Sequence, residues 1–280
     1  MNHPAELSIR SFLNKALKGE ANVSSTIANA VAEDVRSAFL RQFSGKREGF
    51  RLRMSNLGKK KCQLWFEKNL PESKEALPPH FLINMMIGDI IEAVFKGLLR
   101  ASNVEFEDSG VATLKTKNRE IKGEYDMILD GKIDDIKSAS GWSYVNKFDD
   151  ITTLKNSDTF GYVSQLVGYA KATGKDLGGW WVVNKNTGEH KYVEAENIDM
   201  QEEMDKIEET IAYIDNDEPF ERCYSDQPEV YYGKPSGNRK LGVECGFCDF
   251  KHKCWENLKV LPSRVSKAKE PPMVYYTHVI

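Results

Sequence analysis

Apolar residues recur every three or four positions through four stretches of the first hundred residues, which predicts helices at 5–18, 25–43, 61–69 and 80–100. The second has Ser25 as candidate cap and Ile27, Val31, Val35 and Phe39 at helical spacing; the third stops before Pro71. Beyond residue 100 the period falls to two. Strands are predicted at Val104–Glu107, at Val111–Lys115, on both sides of Asp130-Gly131, at Trp180–Val183, and at His190–Glu194 after a turn at Asn186–Gly188. A helix through Gln165 ends near Gly174, and a charged helix at 199–214 leads into a cysteine-rich segment. Residues 140–157 lack a clear period and read as a long loop. Its Trp142, Tyr144 and Phe148 are candidates either for stacking on unpaired bases or for a hydrophobic flap.

Asp130-Gly131 suits a two-residue type I′ turn, whose central residues both need φ > 0. Counting outward pairs Leu129 with Lys132, Ile128 with Ile133, Met127 with Asp134, and Asp126 with Asp135. Period two then puts Glu124, Asp126, Asp135 and Lys137 on one face and Tyr125, Met127, Leu129 and Ile136 on the other. Opposed Cβ atoms lie about 4.5–5.5 Å apart, so the two aspartates repel unless a divalent cation sits between them. The alternative is a solvated face with a Glu124–Lys137 cross-strand pair. Gln165 and Tyr169, four apart, share one helix face, where they either position a phosphate or a ligating carboxylate or simply meet water. Glu92, in the apolar run 81–99, is either a solvated helix position or a third metal carboxylate.

In order, these segments resemble the RecB-like nucleases of the PD-(D/E)XK superfamily. The family's helix with Gly and an acid or His four residues on is matched by Gly88 and Glu92; its Gly-x-x-Asp strand by Gly123 and Asp126; its Asp/Glu-x-Lys strand by Asp135 and Lys137; its Gln-x-x-x-Tyr helix by Gln165 and Tyr169. Glu at 92, where the RecB branch usually has His, is closer to the phage-recombination exonucleases. The resemblance implies an α/β fold, a restriction-endonuclease-like core with a central mixed sheet flanked by helices. It implies Mg²⁺ or Mn²⁺ held by Glu92, Asp126, Asp135 and the carbonyl of Ile136, with Lys137 acting on the attacking water and Gln165 and Tyr169 positioning DNA or the ligands. The activity implied is a metal-dependent deoxyribonuclease acting on DNA ends or single strands in recombination, repair or phage DNA metabolism, with DNA and a recombination protein as candidate partners and no membrane. A non-catalytic DNA-binding or assembly protein that keeps the fold is the alternative from another class.

Three of the five cysteines form a C-x2-C-x5-C run, Cys245, Cys248 and Cys254, and Cys62 stands far upstream. This one-plus-three arrangement resembles the iron-sulfur staple of the CRISPR-associated RecB-like exonucleases, which implies a structural [4Fe-4S] cluster on these four. Zinc on the same thiols, or on Cys245, Cys248, His252 and Cys254 with Cys62 left as a core residue, is the alternative. Cys223 has no evident partner and reads as inert.

With 280 residues, 40% hydrophobic and 29% charged, the chain is of ordinary globular composition, and it is expected to be one integrated domain: a helical N-terminal segment (1–79), the nuclease core (80–200) and a C-terminal helix and cysteine segment (201–280). A net charge of −3 does not by itself advertise nucleic acid. Locally, however, Lys46, Arg47, Arg51, Arg53, Lys59, Lys60 and Lys61 face only Glu48, which reads either as a DNA-contacting patch or as a solvated segment. No signal peptide and no apolar run near eighteen residues is evident, so a cytoplasmic protein without disulfides is expected.

Overall fold

The computed structural model describes residues 3–44 and 49–280. In chain order the elements are α1 (Pro4–Leu17), α2 (Ser25–Ser44), α3 (Lys61–Asn69), α4 (His80–Ala101), β1 (Gly110–Lys115), β2 (Glu120–Tyr125), β3 (Met127–Leu129) and β4 (Lys132–Ala139). They continue as α5 (Gly141–Asn146), α6 (Ile151–Ser157), α7 (Tyr162–Thr173), β5 (Asp176–Asn184), β6 (His190–Glu194) and α8 (Met200–Asp215). The chain closes with β7 (Gln227–Tyr231), β8 (Lys234–Lys240), α9 (Val243–Gly246), α10 (Lys251–Cys254), β9 (Lys259–Pro262) and β10 (Met273–His278). The fold is α/β, with one mixed sheet and two antiparallel ones.

Two compact units emerge: residues 1–58 with 78–209, and residues 59–77 with 210–280. The divisions fall after Gly58, before Pro78 and after Glu209, the last of these inside α8.

In the first unit the mixed sheet runs β3-β4-β5-β6, with β4 and β5 parallel and the outer pairs antiparallel. Asp130 and Gly131 both take positive φ, 51° and 78°, and the ladder pairs Met127, Ile128 and Leu129 with Asp134, Ile133 and Lys132. The turn thus sets the register read from the sequence. Met127, Leu129 and Ile136 join Phe95, Leu99, Ile9 and Trp181 in a buried core, which covers the face of the sheet that carries α1 and α4. Gly97 lets α2 pack against α4, since a Cβ there would strike Val31 within 2.5 Å.

The expected hairpin stops short. The β3–β4 ladder begins only at Met127, so Asp126 and Asp135 are not a ladder pair, and the preceding β2 pairs antiparallel with β1, placing Glu124 opposite Val111. Glu124 is exposed, and no Glu124–Lys137 pair forms; Tyr125 is half-buried on this second ribbon rather than in the core of the first. The expected strand at 104–107 reduces to a single bridge, Glu107 to Ile128, because Val104 N–H still closes the end of α4 on Leu99 and Asn103 takes φ 56°. Ser24, not Ser25, caps α2 by accepting the Ile27 N–H at 3.3 Å, and Phe39 points outward, 55% exposed. The stretch 140–157 is not a loop: Ser140 and Asp150 accept the Ser143 and Thr153 N–H groups and start two short helices, α5 and α6. Gly174 ends α7 in the left-handed region, φ 70°, as its position suggested.

The second unit holds an antiparallel sheet, β7-β8-β10-β9, that periodicity did not reveal. Glu229, 1% exposed, pins it by accepting from Tyr276 Oη at 2.5 Å, Asn238 Nδ2 at 2.8 Å and Ser236 Oγ at 2.9 Å.

Candidate metal centre and cysteine cavity

Asp126 occupies the break between β2 and β3, where the chain changes partner strands. Its Oδ2 accepts the Ile136 N–H at 2.7 Å, which ties the break to the middle of β4. Asp135 lies next to that point, buried, with Lys137 Nζ 2.8 Å from Oδ1 and 2.7 Å from Oδ2. The Oδ2 contact lacks hydrogen-bond geometry, so this oxygen stays buried and unsatisfied. Glu92 reaches the group from α4, held by Lys96 Nζ at 2.9 Å; Lys96, only 4% exposed, also stands 3.4 Å from Asp108. Gly88, one helical turn earlier, meets β4 closely: a Cβ there would lie 3.3 Å from Ser138 Oγ.

The titration behaviour reports the crowding. Burial, then the charge of Asp135, pushes Asp126 up to about 6. Burial, then Asp126, pushes Glu92 up to about 7 against the pull of Lys96. Asp135 is raised by burial, with Lys137 opposing. Burial by itself would lower Lys137, but Asp135 and Asp126 outweigh it and hold the ammonium firmly charged. Like charges gathered in a poorly solvated place raise one another's pKa and favour a cation.

From α7, Tyr169 is 3% exposed and donates to the Glu124 carbonyl at 2.6 Å, while Gln165 bonds its phenol. The motif glycine explains this approach: a Cβ on Gly123 would fall 2.5 Å from Met54 Cγ and 2.9 Å from Tyr169 Oη. Tyr169 therefore buttresses the strand that delivers Asp126, rather than presenting its hydroxyl to a ligand.

Six sequence-selected residues, Glu92, Asp126, Asp135, Lys137, Gln165 and Tyr169, belong to this first unit and meet around β4. Among the described residues, however, no three His, Cys, Asp or Glu side chains form a ready metal cage. Lys96, Ile136 N–H and Lys137 each engage one of the three carboxylates. The donor set, three carboxylates with one unsatisfied buried oxygen, could hold a hard divalent cation once these internal donors yield. Lys96 was missed by the sequence reading, although its position four residues after Glu92 is the spacing of a helical ion pair.

Asp134, given no role from sequence, is 1% exposed and accepts Gly179 N–H at 2.7 Å, Tyr192 Oη at 2.9 Å and Trp181 Nε1 at 3.1 Å. Phe148, a candidate base-stacking residue, is buried at 3% exposure, and Tyr144 lies under Lys191 Nζ at 4.5 Å; Trp142 is 71% exposed.

In the second unit, Cys62, Cys223, Cys245, Cys248 and Cys254 line one small cavity with Arg222, Lys251 and Trp255. The four thiols selected from sequence are thus brought to one place across a long separation, although no three of them stand ready at metal-ligand distances among the described residues. Cys223 is not isolated, as the sequence suggested: its Sγ accepts the Cys62 N–H at 3.2 Å, and the bond from the Cys62 thiol brings its pKa down to about 7. His252 is not among the residues that line the cavity, and its Nε2 lies 3.6 Å from Glu75. Thiols with two basic side chains beside them could hold an anionic iron-sulfur cluster or a zinc ion.

The basic stretch is divided. Lys46, Arg47 and Glu48 lie outside the described residues, Arg51 and Arg53 belong to the first unit, and Lys59, Lys60 and Lys61 to the second. There Lys59 pairs with Glu67 at 2.8 Å, and Lys60 and Lys61 lie over the Tyr224 and Tyr213 rings. No helix among the described residues is long and apolar enough to cross a membrane.

No protein-family model matches the chain, and no curated protein does. A solved structure described as "Crystal structure of SSO0001" is similar over 84% of this chain and 99% of that one, at 14% identity and a TM-score of 0.43. No family membership follows from these comparisons.

Proposed function

We propose that the chain is a metal-dependent deoxyribonuclease, built on a restriction-endonuclease-like core of the RecB-like kind and acting as an exonuclease on DNA ends or single strands. The observation that carries this reading is the bond from Ile136 N–H to Asp126, which ties one aspartate to the strand of the Asp135–Lys137 pair, with Glu92 within electrostatic reach of Asp126. In this reading Glu92, Asp126, Asp135 and the Ile136 carbonyl bind Mg²⁺ or Mn²⁺. When bound, such ions polarise the scissile phosphate and acidify a nearby water. Lys137, kept charged by its two aspartates, would steady Asp135 as a ligand, orient the attacking water and offset negative charge on the phosphorus. Lys96 holds Glu92 in reserve, and Tyr169 with Gln165 keeps the Asp126 strand in place.

The cysteine cavity is proposed as the seat of a structural [4Fe-4S] cluster on Cys62, Cys245, Cys248 and Cys254, with zinc as the alternative occupant. In this reading the cluster braces the second unit.

Incubating end-labelled single- and double-stranded DNA with the purified chain and Mn²⁺ tests the proposal. Stepwise shortening that EDTA abolishes is expected. Intact DNA under these conditions, with DNA still bound, would instead favour a binding or assembly protein that keeps the metal face without turnover.

A further inference from the structure

The first unit carries an aromatic stack that the catalytic reading does not use. Phe148, buried, stacks on Tyr162 with ring centroids 5.7 Å apart, and Tyr162 stacks on Phe160 at 5.6 Å with planes 17° apart. Phe160, at the other end, is 59% exposed. Lys137 Nζ lies 5.1 Å from the Tyr162 centroid, so the open ring is two contacts away from the catalytic amine.

A second lysine is built into the same stack. Lys147 Nζ sits 4.5 Å from the Phe160 centroid and 4.6 Å from that of Tyr162. It is 7% exposed, and its ammonium has no hydrogen-bond partner. Asp158 acts on it only at a distance, and its two carboxylate oxygens accept the Gly161 and Val163 N–H groups at the start of α7. The ring faces offset part of the cost of burying this charge, but three strong donors remain without an acceptor. An exposed, rigidly backed aromatic ring beside an unsatisfied cation has the two chemical features that single-stranded nucleic acid matches: a flat base and an adjoining phosphate.

We propose that Phe160 is a stacking platform for one nucleobase of a single DNA strand and that Lys147 meets the neighbouring phosphate. The inference rests on the nuclease reading above, and it deepens it by assigning the substrate's single-stranded part to a place. A base still paired in a duplex has both faces covered by its neighbours, so the platform selects frayed or unpaired strands. Tyr162 links the platform to Lys137 and fixes the distance between the held base and the bond to be cut.

The test measures anisotropy of a short fluorescein-labelled single-stranded oligonucleotide in EDTA, with Mn²⁺-dependent cleavage of the same oligonucleotide as a separate readout. Phe160→Ala is expected to weaken binding roughly 5- to 100-fold, the worth of about one stacked base, whereas Phe160→Trp binds like the original. One abasic position in the oligonucleotide should cost the unaltered protein a similar factor and cost Phe160→Ala nothing further. Lys147→Met should weaken binding and flatten its dependence on salt. Equal binding by Phe160→Ala and the unaltered protein overturns the platform, and an unchanged salt slope in Lys147→Met overturns the phosphate contact. Absence of cleavage with the stacking effects intact would overturn the nuclease reading instead, so the two failures are distinguishable.

Discussion

Asp134 and Asp135 are neighbours in β4, and alternation along the strand sends their carboxylates to opposite faces of the sheet. Asp134 takes three donors from β5 and β6, namely Gly179 N–H, Trp181 Nε1 and Tyr192 Oη, while Asp135 takes the ammonium of Lys137. One aspartate fastens the sheet and the other stands in the candidate metal site. Because they share a backbone, the first fixes where the second can be.

Replacing Asp134 with Ala should therefore leave three buried donors unsatisfied, at about 1–3 kcal/mol each if none finds water. Gly178→Ala should act on the same joint, since a Cβ there collides with Asp134 Oδ1 and approaches the Ile133 carbonyl within 2.7 Å. Urea denaturation of both variants checks this. Stability within about 0.5 kcal/mol of the original would show that the network contributes little.

Asp126→Asn and Asp126→Ala separate anchoring from chemistry. Asn keeps an acceptor for Ile136 N–H, so its melting temperature should stay near the original, and Ala should lose about 1–3 kcal/mol by orphaning that donor. Both should lose Mn²⁺-dependent cleavage by a hundredfold or more. Cleavage at the original rate by either variant would remove Asp126 from the metal site.

The raised pKa values of Glu92, about 7, and Asp126, about 6, set a pH dependence. In the unfolded chain both titrate near 4, so between about pH 4 and 7 the folded, metal-free protein holds protons that the unfolded one has released. The contribution of these acids is thus full below that window and is lost as pH rises through it. Metal-free protein should melt at lower temperature at pH 8 than at pH 6 if this pair dominates, and Mn²⁺ should reverse the order because protons compete for the same oxygens. Thermal scans in EDTA and in Mn²⁺ decide it, and an identical Mn²⁺ response at both pH values would count against these ligands.

Single Ser substitutions at Cys62, Cys245, Cys248 and Cys254 should each lower the iron and sulfide bound after anaerobic purification, and Cys223→Ser should retain it. The visible spectrum with iron and zinc analysis reads this directly. Equal iron loss in Cys223→Ser would promote the fifth thiol to a ligand, which its contact with Cys62 makes a meaningful comparison.

Much of the local architecture was legible in the chain because its causes are local. Asp130-Gly131 dictates a turn, the turn dictates register, and the register pairs Met127 with Asp134 before any other part of the molecule is known. Helical spacing likewise located α3 and α4 and put Glu92, Gln165 and Tyr169 on helices, while alternation located β6. What tertiary structure decided was which charges meet. That Lys137 turns to Asp135 and not to Glu124, that β2 leaves the ladder for β1, that Lys96 restrains Glu92, and that Lys147 lies unsatisfied against Phe160 all depend on burial and on pairings between distant segments. The same holds for five cysteines lining one cavity and for the sheet of the second unit, whose short, mostly exposed strands leave too weak an alternation to read. Period and turn chemistry act over a few residues; the energy of a buried charge is settled only by everything packed around it.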